Sequence, residues 1–258
     1  MPSQSLVLTR IHNIKHIHPG DNLADILITA LEENQITLQS GDILVLAQKI
    51  VSKAEGRLVN LTTVTPSERA QKIATEVDKR PELIELILQE SHSVLRTRPG
   101  TIIVEYKSGF VCANAGIDHS NVRGPWGHSE DWVLLLPENA DQSALEIREA
   151  LEKYYDVRIG VLIIDSHGRA WRLGTIGMTI GLSGMPGLVD LRGQSDLYDY
   201  KLRLTVVAAA DELAAAASLM MGQAAEATPV VHVRGFPYPL REGTAEELVR
   251  PKSLDLFR

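Results

Sequence analysis

Residues 40–57 read SGDILVLAQKIVSKAEGR. The Gly41-Asp42 pair turns the chain, and Ile43 to Ala47 then place aliphatic side chains on both faces, as a strand buried in a sheet covered on two sides requires. Its polar continuation carries Gln48, Lys49, Ser52, Lys53, Glu55 and Arg57. Extended chain would alternate these between faces. Lysines there are able to neutralise phosphates, although such a stretch taken alone is more often a solvated turn.

A second buried strand of this kind, Gly160 to Ile164, ends at Asp165. Around the two strands the sequence predicts helices over Leu23–Glu33, Pro66-Ser67 to Asp78, Pro81–Glu90, Asp141–Tyr155 and the Ala-rich run Leu204–Met221. Asp21, at the end of the HPGD turn, and Asp141 are suited to cap two of them. Short strands are expected at Leu6–Thr9 and Pro229–Arg234, and a hairpin from Thr101–Tyr106 and Phe110–Ala113 about the Ser108-Gly109 turn. Eight glycines lie between Gly160 and Gly193. That density implies tight turning or close approach of the backbone to another surface. The polar stretch from Arg241 onward, 241–258, reads as a loose tail.

The elements read as one domain spanning 1–258 with interwoven parts. Strands and helices alternate too irregularly for a TIM barrel, and no Gly-x-Gly-x-x-Gly turn or Walker lysine loop follows a strand. With 26 Lys and Arg against 33 Asp and Glu, the net charge of −7 disfavours nucleic acid and anionic lipid as partners. No apolar run is long enough for a membrane span. Cys112 is the only cysteine, which rules out an internal disulfide. A reducing compartment and the absence of a leader at the N-terminus point to the cytoplasm.

Four places can hold chemistry. NAGIDHSN, residues 114–121, gathers short oxygen-bearing side chains around Gly116. Such a loop suits a hard cation, and an Asx turn in which Asp118 accepts backbone amides explains it too. Asp165-Ser166, with Arg169 and Arg172 beyond, suits metal and phosphate together, or a surface ion pair. The Gln48–Lys53 stretch is the third. The fourth is Met221-Gly222-Gln223 with Glu226, a weak amide metal ligand or a glycine helix cap. Asp211 and Glu212 read as a polar stripe on their helix. His12, His16 and His18 fit no zinc pattern, and Cys112 reads as a buried structural thiol.

Taken together, GDILVLAQKIVSKAEGR, ANAGIDHSN, LLLPENADQSALEIR, VLIIDSHGRAWRLG, LADILITAL and DELAAAASLMMGQAAEATPVVHVRG resemble the coenzyme F420-0:L-glutamate ligases. The matches run in order from about Ile14 to Gly235. The resemblance implies an unusual α+β fold of the F420-0:gamma-glutamyl ligase type, neither P-loop nor Rossmann nor ATP-grasp, assembled as a homodimer. It implies GTP as co-substrate and two divalent cations, manganese or magnesium, with a monovalent cation as an optional third ion. Carried over by motif, Asp118 and Asp165 would bind one metal, and Ser166 and Gln223 the second. GTP contacts would come from Gln48, Lys49, Lys53 and Asn121. Backbone at Ile14, Lys15, His16 and Ile17, and at Met220, Met221, Gly222, Gln223, Ala224, Ala225, Glu226 and Ala227, would add to them.

The implied reaction phosphorylates the terminal carboxylate of F420-0 from GTP and then displaces phosphate with the amine of L-glutamate. Later glutamates would be joined through the side-chain carboxylate. A related amide ligase with another carboxylate acceptor, and a nucleotide-binding module without catalysis, are the alternatives. Three features depart from the family pattern. Ser166 stands where threonine is usual, Met178-Thr179-Ile180-Gly181 replaces a VAIG-like stretch, and Asp196 to Lys201 replaces a D-x-Y-G-R-like stretch. The chain also ends soon after Gly235, without the nitroreductase-like extension of some relatives.

Overall fold

The computed structural model describes residues 5–256. Along the chain run β1 (Val7–Arg10), α1 (Leu23–Glu33), β2 (Ile43–Ala47), α2 (Gln48–Ala54), β3 (Leu58–Asn60), α3 (Glu68–Val77), α4 (Pro81–Gln89), β4 (Ser91–Arg98), β5 (Thr101–Tyr106) and β6 (Val111–Ala113). Then come β7 (Trp132–Leu134), α5 (Ala140–Tyr155), β8 (Gly160–Arg169), β9 (Arg172–Ser183), β10 (Val189–Asp190), β11 (Val206–Val207), α6 (Ala209–Met221) and β12 (Val230–Arg234). Among the described residues the class is mixed α+β with no closed barrel, as expected.

Five strands form the central sheet in the order β1-β12-β2-β8-β9. β2 pairs in parallel with β8, Ile43 opposite Gly160, and its other neighbour β12 runs antiparallel. Both central strands have to be apolar on two faces because each face has its own cover. Leu44, Leu46, Val161 and Ile163 pack into a cluster with α1, α5 and the α3–α4 pair. Ile43, Val45, Leu162 and Ile164 pack instead against Leu213, Ala214 and Ala217 of α6. A second sheet, β4-β5-β6, contributes Ile102 and Val104 to the first cluster, so both sheets share one core.

Glycine is required where β9 meets the helices. A Cβ on Gly177 would lie 2.4 Å from the Ala214 carbonyl oxygen of α6, and one on Gly181 would lie 2.4 Å from the Ala140 carbonyl carbon at the start of α5. The sheet is therefore clamped between two backbones at contact distance.

Several local expectations change. α1 is capped by Asn22, whose side chain accepts from Ala24 N and Asp25 N; Asp21 instead accepts from His18 N and Lys15. α5 is capped by Asn139, and Asp141 accepts from Leu182 N and Ala245 N. α6 begins at Ala209 rather than near Leu204. β8 runs on past Asp165 to Arg169. The segment after Arg241 carries more fixed contacts than a loose tail: Arg241 pairs with Glu247 at 2.7 Å, and Glu242 with Arg148 at 2.7 Å. Its last residues, 257–258, lie outside the described part. Among the described residues, no helix is long and apolar enough to cross a membrane.

Candidate functional site

The polar continuation of β2 is helix α2, not extended chain, so Gln48 and Ser52 stand one turn apart on one face. Ser52 Oγ donates to Gln48 Oε1 at 2.8 Å, which orients the amide so that its Nε2 donates to Asp118 Oδ2, also at 2.8 Å. Lys49 Nζ donates to the same oxygen at 2.5 Å. One turn further, Lys53 Nζ donates to the Asn121 carbonyl at 2.9 Å. Burial, then the neighbouring charge of Lys49, holds the Lys53 ammonium below its ordinary range. Lys49 has Asp118 as its counter-ion, whereas Lys53 has only the Asn121 carbonyl among the described residues, so a phosphate would supply the counter-ion that Lys53 lacks.

Asp118 is presented by a strained turn. Asn114, Ala115 and Gly116 all have left-handed φ angles, 53°, 54° and 66°. For alanine that conformation costs about 1–2 kcal/mol. A Cβ on Gly116 would lie 2.6 Å from Leu136 Cδ1. The turn is held by a two-way backbone bridge between Asp118 and Leu134, at 3.0 and 2.9 Å. Burial raises the Asp118 pKa and Asp165 raises it further, against the opposing pull of Lys49 and Gln48. The two carboxylates therefore sense each other.

Asp165 and Ser166 are consecutive in a strand, so their side chains diverge. Asp165 Oδ2 lies 2.9 Å from His167 Nε2, and the His167 ring rests against Phe110 at 5.4 Å between centroids. Burial pushes the Asp165 carboxyl up, but His167, the Ser166 amide and Lys49 outweigh it, and the pKa is lowered. Ser166 Oγ turns the other way and donates to Gln223 Oε1 at 2.8 Å, while Gln223 Nε2 donates to Ser218 Oγ at 2.9 Å. Asn121 joins the two groups, since its Nδ2 donates to the Ala224 carbonyl at 3.1 Å.

The structure thus gathers Gln48, Lys49, Lys53, Asp118, Asn121, Asp165, Ser166 and Gln223 about the carboxyl end of β2, the middle of β8 and the end of α6. The loop Gly222 to Ala227 is exposed beside them, with Glu226 accepting from Ala224 N at 2.8 Å. Among the described residues, no side-chain hydrogen bond links Ile14, Lys15, His16 or Ile17 to this group; Lys15 pairs with Asp21 and Ile17 is buried in the core. Arg169 and Arg172 lie further out along the β8–β9 hairpin, where Arg169 donates to the Leu173 carbonyl. Two further residues, Arg10 and His167, touch the group. Arg10 donates to the Met220 carbonyl, and no motif marks it. His167 was findable, because a residue two positions from Asp165 in a strand shares its face.

All four candidate metal donors are oxygens. Among the described residues, no three His, Cys, Asp or Glu side chains form a ready-made cage. Two carboxylates supplemented by a hydroxyl and an amide fit a magnesium-like ion that keeps water and phosphate oxygens in its shell.

Comparison with known proteins bears on this geometry. The F420-0:Gamma-glutamyl ligase family model matches residues 12–235. A protein of Methanopyrus kandleri named coenzyme F420:L-glutamate ligase is 44% identical over 248 residues, covering 95% of this chain and 94% of its own. Relatives with the same name from Methanothermobacter thermautotrophicus and Archaeoglobus fulgidus are 42% and 38% identical, over 97% and 96% of this chain and 98% and 94% of their own.

Proposed function

The chain belongs to the F420-0:gamma-glutamyl ligase family, and from that premise we propose that it uses GTP to join L-glutamate to coenzyme F420-0 through an acyl phosphate. The observation that carries this reading is the pairing of Lys49 with Asp118, with Asp165 close enough to raise the Asp118 pKa and Lys53, one turn on, held by the Asn121 carbonyl. Cations next to an under-neutralised carboxylate pair form a site for a metal-bound polyphosphate, and phosphoryl transfer demands little else from a protein than placement and charge.

Asp118, Asp165, Ser166 and Gln223 would hold divalent cations, which when bound supply charge neutralisation on the phosphates. Lys49 and Lys53 would then lie against the phosphate oxygens, and Asn121 and the exposed Gly222–Ala227 loop against the nucleotide. The γ-phosphoryl group passes to an oxygen of the F420-0 carboxylate and GDP leaves. The glutamate nitrogen next bonds to the acyl carbon, the carbon–oxygen bond to phosphate breaks, and inorganic phosphate and one proton are released.

A homodimer is part of the proposal. It is supported by exposed apolar side chains at the tip of the β8–β9 hairpin, Trp171 and Leu173, and in the β10–β11 connection, Leu197, Tyr198 and Leu204. A second reading, an amide ligase for another carboxylate acceptor, draws on that same connection. Asp196 there accepts from the Tyr198 and Tyr200 amides in place of the Gly- and Arg-bearing stretch.

The test is incubation of purified protein with GTP, manganese, F420-0 and L-glutamate, with products weighed by mass spectrometry. Glutamyl mass increments with matched GDP release are expected. Unchanged F420-0 in the presence of tight GTP binding would overturn the assigned acceptor.

A further inference from the structure

A cleft of about 880 Å³ opens between β9, the loop after β5, the start of α5 and the C-terminal segment. Met178 lines it, and Met178 stands directly opposite Asp165 across the β8–β9 ladder. The next residue, Thr179, also lines it. Thr179 is buried, yet its Oγ1 has no hydrogen-bond partner among the described residues. A buried hydroxyl without a partner carries a desolvation cost that a bound polar group would remove.

The charges in the cleft are unequally engaged. Lys107 pairs with Glu90 at 2.9 Å and Lys252 with Glu105 at 2.9 Å, so both lysines already have carboxylates. Asp211 spends Oδ1 on the Thr179 amide at 3.0 Å, and no hydrogen bond to its Oδ2 is made among the described residues. Glu138 and Glu246 also line the cleft, and neither pairs with a basic side chain among those residues; Arg250 lines it too and is itself engaged. Burial raises the Asp141 pKa, and Glu246 and Glu247 raise it further against two backbone amides. Of the three co-substrates of the proposed ligase, the triphosphate and the acceptor carboxylate are anions. Only the amino acid brings a cation.

We propose that this cleft receives the ammonium end of the amino-acid co-substrate, with Asp211 as its anionic contact and Thr179 Oγ1 as a neutral one. The inference rests on the ligase reading above, and it places the amino acid at β9, the strand that pairs with β8. It also gives Asp211 a binding role beyond a polar position on the surface of α6.

The experiment measures L-glutamate binding to the full chain loaded with GDP and manganese, and steady-state kinetics where turnover occurs. Asp211→Asn keeps an acceptor for the Thr179 amide and removes only the charge. It is expected to weaken L-glutamate Kd and KM about tenfold or more, the scale of one charge-assisted hydrogen bond, with KM for GTP and F420-0 within about twofold. Thr179→Val is expected to weaken glutamate about threefold, and it serves if the first variant does not fold. Unchanged glutamate affinity in both variants, or equal losses for GTP and glutamate, overturns the inference. Asp211-dependent glutamate binding without any product would leave the inference standing and overturn the ligase reading instead.

Discussion

At the amino end of β2, Asp42 accepts from Arg234 Nε at 2.9 Å and Arg234 Nη2 at 2.6 Å, from the Gln39 amide at 2.9 Å, and meets His232 Nε2 at 2.9 Å. At the carboxyl end of the same strand, Gln48 and Lys49 reach a single oxygen of Asp118, and Asp165 stands near enough to raise its pKa. Burial raises the pKa of Asp42 as well, but Arg234, His232 and Gln39 outweigh it and hold the value at about 2. Asp42 is saturated with donors; Asp118 is not. A five-residue strand therefore carries a staple at one end and an unsatisfied charge at the other, and the second is the end that can gain from a ligand.

The contrast breaks first at Asp118 and Asp165. Asp118→Ala or Asp165→Ala should lower kcat by about 10²–10³-fold or more, the scale of losing a preorganised electrostatic group. The metal-free thermal midpoint should hold or rise for Asp118→Ala, because an ionised carboxylate with a raised pKa opposes folding, and should fall for Asp165→Ala, whose lowered pKa marks a carboxylate that stabilises the fold beside His167. Activity within a few-fold of wild type, assayed by GDP release, would remove the functional meaning of that end.

Asp42→Ala should do the reverse, leaving nucleotide affinity intact while costing about 3 kcal/mol in urea unfolding, since His232 and Arg234 lose a buried partner. An unchanged midpoint would show that the staple is ornamental. A pH series sharpens the same point. The folded pKa of Asp42, about 2, lies below its ordinary 3.8, so this stabilisation is fully present above about pH 4 and is lost as pH falls through about 2. It amounts to about 2 kcal/mol. Wild type should therefore lose more stability than Asp42→Asn between pH 4 and pH 2; parallel curves would refute the assignment.

The smallest expected effect is at Cys112, close enough to Asp165 to feel its charge. Burial, then Asp165, pushes its thiol up to about 12. At pH 8 the folded protein should resist iodoacetamide, with labelling appearing only in denaturant. Rapid labelling of native protein would mean that the hairpin beside Asp165 is open.

Much of the fold was legible because its causes are local. β2 and the start of β8 announce themselves by aliphatic side chains on both faces, and Ser67 and Pro81 mark the starts of α3 and α4 where the structure has them. The caps of α1 and α5 were misplaced by one and two residues, since Asp21 and Asn22, or Asn139 and Asp141, offer the same oxygen at neighbouring positions. α2 was hidden for a different reason. Seven residues are too few for a period to show, and the helix is fixed by what it packs on.

Within the candidate site, the sequence by itself determined which side chains are chemically able: oxygens on a glycine-bearing turn, lysines after a buried strand, a carboxylate followed by a hydroxyl. Tertiary structure alone decided which of them meet. Lys49 and Asp118 are 69 residues apart, and Ser166 and Gln223 are 57 apart. No local preference encodes such pairings, because they arise only when two strands align in a sheet and a helix ends beside them. The different states of Asp42 and Asp118 follow from that same alignment, since burial and the count of donors around a carboxylate are properties of the packed chain and not of aspartate.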